Sequence, residues 1–111
     1  MFKVIKTAEE VKQEKLQKEY EQALRIWKQQ RQEAVDAIIV EHNGKEFQGD
    51  EISQDRIARA ILSLSDEDTI NWAAYDNTEV ELTKADLQAI LAQAREQQSM
   101  IWNKNRPVKP E

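Results

Sequence analysis

One histidine, two short acidic clusters and three tryptophans are the side chains of this sequence with the most chemistry to offer. His42 is the sole imidazole and Cys is absent. That inventory excludes thiolate nucleophiles, disulfides, Cys-ligated zinc, iron–sulfur clusters and any site needing two imidazoles. A histidine acting as general base wants a carboxylate or a nucleophile beside it. Here it flanks an Asn43-Gly44 turn, with Lys45 as its expected cross-strand neighbour, and a cation fills neither role. His42 is therefore expected as a solvated turn residue.

Asp50-Glu51-Asp55 and Asp66-Glu67-Asp68 invite a metal reading. A calcium loop needs oxygen ligands at its first, third and fifth positions, Gly at the sixth and a bidentate acid at the twelfth. Counted from Asp66, the fifth, sixth and twelfth positions are Ile70, Asn71 and Asn77, so the pattern fails three times. These acids are expected to start helices and solvate a loop instead. Ser and Thr fall at helix starts rather than on a Gly-x-Ser-x-Gly elbow, and no Gly-rich phosphate loop is present. Without a base–nucleophile–orienter set, the expectation is a non-enzymatic protein with no cofactor and no metal. Trp27, Trp72 and Trp102 each fall on an apolar stripe, so the core is their default place. Trp102, near the C-terminal end, is the candidate for an exposed aromatic platform for sugars or a partner. Arg56 and Arg59 sit on the outer face of their helix, where a salt-bridged surface suffices as an account.

The elements that must position these residues follow from periodicity. The 111 residues, 40% hydrophobic and 33% charged, fit one modest core under a heavily solvated surface. Thr7 and Glu10 have the spacing of a capping box, and no Gly or Pro interrupts the chain from there to Asp36. Leu16, Tyr20, Ala23, Leu24, Trp27, Ala34, Val35 and Ile38 recur near the helical period. A strict heptad would seat Gln13 and Gln30 on its seam, so a self-sufficient coiled coil is not supported. Roughly 29 helical residues span about 43 Å, whereas a domain of this length is only about 34 Å across. The N-terminal end of the helix is expected to overhang.

Asn43-Gly44 predicts a two-residue hairpin that pairs Val40 with Phe47 and Glu41 with Glu46. Ser53 is expected to cap the next helix, with Ile52 stapled to Ile57 and a stripe of Ile57, Ala60, Ile61 and Leu64. A second hairpin follows. A three-residue loop, Asp76-Asn77-Thr78, would put Trp72 opposite Leu82 and Ala74 opposite Val80, so that both strands agree on a buried face. Thr83 and Asp86 then cap a last helix, with Leu82 stapled to Leu87. The predicted fold is α+β: a long N-terminal helix, then hairpin, helix, hairpin, helix, with a small antiparallel sheet packed against helices. Its expected division is residues 1–36 as the partly overhanging helix, 37–103 as the compact domain and 104–111 as a flexible tail.

Net charge is −5 and unevenly spread. Residues 1–34 hold eight Lys/Arg against six Asp/Glu, and residues 35–111 hold eight against fifteen. Phosphate binding needs several uncompensated cations on one face, so nucleic acid is not an expected partner. No apolar run approaches the ~18 residues of a membrane span. Met1–Lys6 carries a charge at every third position and does not read as an export signal. With Cys absent as well, the expected place is a cytoplasm, or the inside of a larger particle that carries the chain out. The expected partner is a protein.

The stretch from Asn43 to Ile61 (NGKEFQGDEISQDRIARAI) resembles the opening of a small family of uncharacterised domains encoded by bacteriophages and prophages. Those domains often stand beside tail-fibre and tail-fibre-assembly proteins. The later part is similar too: Ile70-Asn71-Trp72, the Asp76-Asn77 turn, a Val-bearing return strand, Thr83-Lys84-Ala85-Asp86-Leu87, and a helix ending Ile101-Trp102. The resemblance spans roughly residues 36–103, extends more loosely over the long helix, and brings no catalytic residues to carry over. It implies a tail-fibre-associated structural or assembly role, with expression in the host bacterial cytoplasm and the virion as a second expected place. Lys12, Lys15, Leu16 and Tyr20 on the overhanging helix are the candidate partner contacts, with homo-oligomerisation through that helix as one form of contact. The alternative is a small acidic phage inhibitor that occupies a basic surface of a host defence protein.

Overall fold

The computed structural model describes residues 7–111; the reading of Met1–Lys6 lies outside the described residues. Helix α1 (Ala8–Asp36) is followed by strands β1 (Ile39–His42) and β2 (Lys45–Gln48) and helix α2 (Glu51–Ser63). Strands β3 (Thr69–Ala73) and β4 (Glu79–Thr83) and helix α3 (Lys84–Trp102) complete the order. This is the expected α+β fold. Its strands form two separate two-stranded antiparallel ladders rather than one sheet, tied by the Tyr75 amide donating to the Glu46 carbonyl at 2.8 Å.

The chain forms two compact units. One holds α1 as far as Gln30 together with Asn105–Glu111, and the other runs from Arg31 to Lys104. Helix α1 begins where expected, with the Thr7 hydroxyl accepting from the Glu10 amide at 3.1 Å. The core belongs to the second unit, where Val35, Val40, Phe47, Ile57, Leu87 and Ile90 are wholly buried. Each such side chain contributes about 1.5–3 kcal/mol relative to exposure.

The first hairpin has the expected register, Val40 with Phe47 and Glu41 with Glu46. Asn43 (φ 51°) and Gly44 (φ 77°) both take positive φ, as a type I′ turn requires. The apolar pair is buried and the two glutamates face water, so like charges opposite one another are solvated rather than desolvated.

The second hairpin departs from expectation by two residues. Ile70 faces Leu82 and Trp72 faces Val80, closed by a Tyr75-Asp76-Asn77 loop in which Ala74 donates to the Thr78 carbonyl at 2.8 Å. The last residue of such a loop takes the left-handed conformation. Asn77 (φ 66°) tolerates it, whereas β-branched Thr78 would be strained. Asp76 fixes the choice by accepting from the Thr78 amide at 3.0 Å. A two-residue slip preserves which side chains share a face, so the apolar face survives the correction.

Helix α2 also starts earlier than expected. Asp50, not Ser53, is the N-cap, accepting from the Ser53 amide at 3.4 Å, and Ser53 becomes the third helical residue. Ile52 then lies in the first turn and 65% exposed, so it does not staple to buried Ile57. An ionised cap at this position also favours the positive end of the helix dipole, which a serine does not. The cap of α3 is as expected: the Thr83 hydroxyl accepts from the Asp86 amide at 3.1 Å, and the Asp86 carboxylate accepts from the Thr83 amide at 2.9 Å.

Candidate functional site

Helix α1 carries the first set of candidate contacts. No side chain from Thr7 to Ile26 is fully buried, and Val11, Leu16 and Ile26 are exposed large apolar groups. Lys12 and Lys15 are exposed, Leu16 is 37% exposed and Tyr20 is half-buried. Leu16, Tyr20 and Trp27 are spaced four and seven apart and so share one stripe. Trp27 is buried, with the Arg106 guanidinium of the same unit 5.6 Å from the ring centroid, and Pro107 and Pro110 of that unit are half-buried. Trp27 is not part of the core cluster of the other unit, although the sequence stripe runs through it without a break.

The second arrangement was missed by sequence reasoning. His42 is not a solvated turn residue: its side chain is only 16% exposed, and Nε2 lies 2.9 Å from Asp86 Oδ1. A carboxylate can only accept, so Nε2 carries the proton and donates it. Lys45 is the cross-strand neighbour as expected, but its ammonium is turned to Asp76 at 3.8 Å. The partner of His42 comes from 44 residues away, where the capping box places Asp86 at the start of α3. The Thr83-x-x-Asp86 box was the only local signal that could have pointed to this carboxylate, and it announces a cap rather than a histidine partner.

Hydrogen bonding from His42, then from the Thr83 amide, holds the Asp86 carboxyl below the ordinary carboxylate range. A carboxyl whose pKa is lower when folded adds stability that is present above its unfolded value, about 3.9. That stability is lost as pH falls through the lowered folded value. Asp86→Asn keeps a capping acceptor and removes the titration. Its urea midpoint is expected to fall less between neutral pH and about pH 3 than that of the natural protein.

Trp102 is 37% exposed, and the Arg31 guanidinium lies 3.8 Å from its ring centroid in a cation–π stack. Trp72 is half-buried and packs against the core. Arg56 and Arg59 are exposed on α2. The acidic clusters are dispersed into local roles: Asp50 caps α2, Asp68 accepts from the Ser65 amide at 2.9 Å, and Asp66 approaches Lys84 at 4.0 Å. Among the described residues, no group of three or more His, Asp or Glu side chains is gathered for a metal ion. None of their helices is long and apolar enough to cross a membrane.

No curated protein and no solved structure matched the sequence. Over residues 7–111 it does match a family described as Domain of unknown function (DUF4376). That span takes in both compact units, the His42–Asp86 pair and the exposed face of α1, and on it the chain belongs to the DUF4376 family.

Proposed function

We propose that this protein is a non-enzymatic, phage- or prophage-encoded module that joins a tail fibre or assists its assembly through protein–protein contacts along α1. The observation that carries this reading is the exposure of the helix. A 29-residue helix with no buried side chain before Trp27 is stabilised little by packing there, and isolated helical segments are marginal in water. Exposed Val11 and Leu16, with Lys12 and Lys15 among exposed glutamates, give a partner apolar area with a charged rim of both signs. The resemblance over residues 36–103 supplies the tail-fibre context and the host cytoplasm as the place of expression. Asp86 has both oxygens engaged, by His42 and by the α3 cap, which supports a structural rather than a catalytic use of that pair.

Two variants separate the fold from the contact face. Charge reversal of Lys12 and Lys15 to Glu is expected to leave the melting temperature within a degree or two, since both side chains are solvated. It should still weaken recovery of the tail partner, or self-association, by about tenfold as two favourable charges become repulsive. Gly44→Val should do the opposite. A Cβ there meets nothing within 4 Å, so the whole cost, about 1–3 kcal/mol, is the positive φ of 77°. Mass spectrometry of purified virions supplies the context. Absence from the particle, with a host defence protein recovered in its place, would favour the acidic-inhibitor reading.

A further inference from the structure

A shallow depression, open to solvent, lies between the first turn of α2 and the last turns of α3, within the second unit. It has a volume of about 440 Å³ and is lined by Gln54, Arg95, Gln98, Ser99, Trp102 and Asn103. Its base is a polar pair fixed from below. Gln54 is 9% exposed, and its Nε2 donates both to the Gly49 carbonyl and to Gln98 Oε1, each at 2.8 Å. A carbonyl can only accept, so Gln54 must turn its amino group toward Gly49 and Gln98 must meet it with its oxygen. The Gln98 amino group is thereby directed away from Gln54, and the Gln54 oxygen accepts from no group of the protein among the described residues.

The walls add two further chemistries. The indole of Trp102, with the Arg31 guanidinium 3.8 Å from its ring centroid, is part of the wall, which Arg31 does not line. Arg95 brings a guanidinium. Among the described residues no carboxylate lines the cavity, and none forms an ion pair with Arg95, in a chain whose net charge is −5. An aromatic surface suits the apolar C–H face of a pyranose ring. Planar amides and the Ser99 hydroxyl suit its hydroxyls, each of which both donates and accepts. A guanidinium fork matches a carboxylate.

We propose that the cavity between α2 and α3 binds a carboxylate-bearing saccharide of the hexuronic acid class, with Trp102 against the sugar ring and Arg95 on its carboxylate. This site shares no residue with the α1 contact face and stands independently of the tail-assembly reading.

The test is titration of the full-length, isotope-labelled protein with glucuronate, galacturonate, glucose and succinate, followed by amide NMR and tryptophan fluorescence. A Kd on the order of 1 mM is expected for one of the uronates. The shifts should map to Gln54, Arg95, Gln98 and Trp102, with glucose and succinate each at least about tenfold weaker. Arg95 is exposed, so Arg95→Gln should leave the melting temperature unchanged while bringing uronate affinity down to that of glucose. Trp102→Ala should remove binding of both sugars. The proposal is overturned if neither uronate gives a saturable shift, or if succinate binds as well as the uronates, which would mark a bare carboxylate site. Unchanged uronate affinity in Arg95→Gln overturns it equally.

Discussion

Phe47→Ala is expected to lower the stability of the protein by about 3–5 kcal/mol, which is the cost of removing a large aromatic side chain from a closed core. Phe47 is 0% exposed, faces Val40 across the first hairpin and belongs to the same cluster as Leu87 and Ile90 of α3. The side chain is wholly enclosed in that cluster, which limits how far the surroundings can collapse into the gap. A domain of this size has a total stability of about 5–15 kcal/mol, so this single change removes a large share. Urea unfolding reads the effect as a lower midpoint. Glu46→Ala, one residue earlier on the solvated face, should shift it by less than about 0.5 kcal/mol. Equal midpoints for the two variants would contradict the assignment of faces.

The second large effect is expected at Gly49. Its backbone amide donates to the Ile38 carbonyl at 2.8 Å, and that bond brings the chain hard against neighbouring side chains. A Cβ placed there would stand 2.6 Å from Ile38 Cγ2, 3.1 Å from Ala94 Cβ and 3.2 Å from Val40 Cγ2. All three neighbours are themselves buried, so none can swing into solvent to make room. Gly49→Val should cost about 3 kcal/mol, the upper end for overpacking, and Gly49→Ala less. The two glycines thus differ in kind. Gly44 is demanded by a backbone angle with open space around it, and Gly49 by the absence of space. Thermal melts of Gly44→Ala and Gly49→Ala in parallel would expose this, because only in the second should Ile38→Ala, which removes the clashing Cγ2, cost less than it does in the natural protein.

The local elements were legible because local signals announced them. The uninterrupted run from Thr7 to Asp36, the Asn43-Gly44 turn and the Thr83/Asp86 box each need only neighbouring residues to be read, and each stands as expected. The second hairpin was read on the correct faces but in the wrong register. Alternation has a period of two, so a slip of two residues leaves the apolar pattern unchanged. The left-handed demand on Asn77 and the bond from the Thr78 amide to Asp76 distinguish the two alignments. At α2 two residues could each serve as cap, and Asp50 took the role over Ser53. Non-local polar partners were beyond reach. His42–Asp86 and Gln54–Gln98 each join residues 44 apart, and both depend on α3 docking across the other elements. The sequence supplied donors and acceptors in these cases but no hint of which would meet.

Every strand in this fold is also an edge, since each ladder has only two members. Unpaired strand edges are templates on which further copies of a chain can add, and the end point of that addition is a fibre. Two properties blunt the hazard here. The strands are four or five residues long, and their solvent-facing positions carry Glu41, Glu46, Glu79 and Glu81. An incoming copy in parallel register would stack glutamate on glutamate at each of these positions. One edge acceptor is already spent within the chain, where the Glu46 carbonyl of β2 accepts from the Tyr75 amide. Crowding many copies together would press identical glutamates against one another along the strands and leave their amyloid-like growth disfavoured.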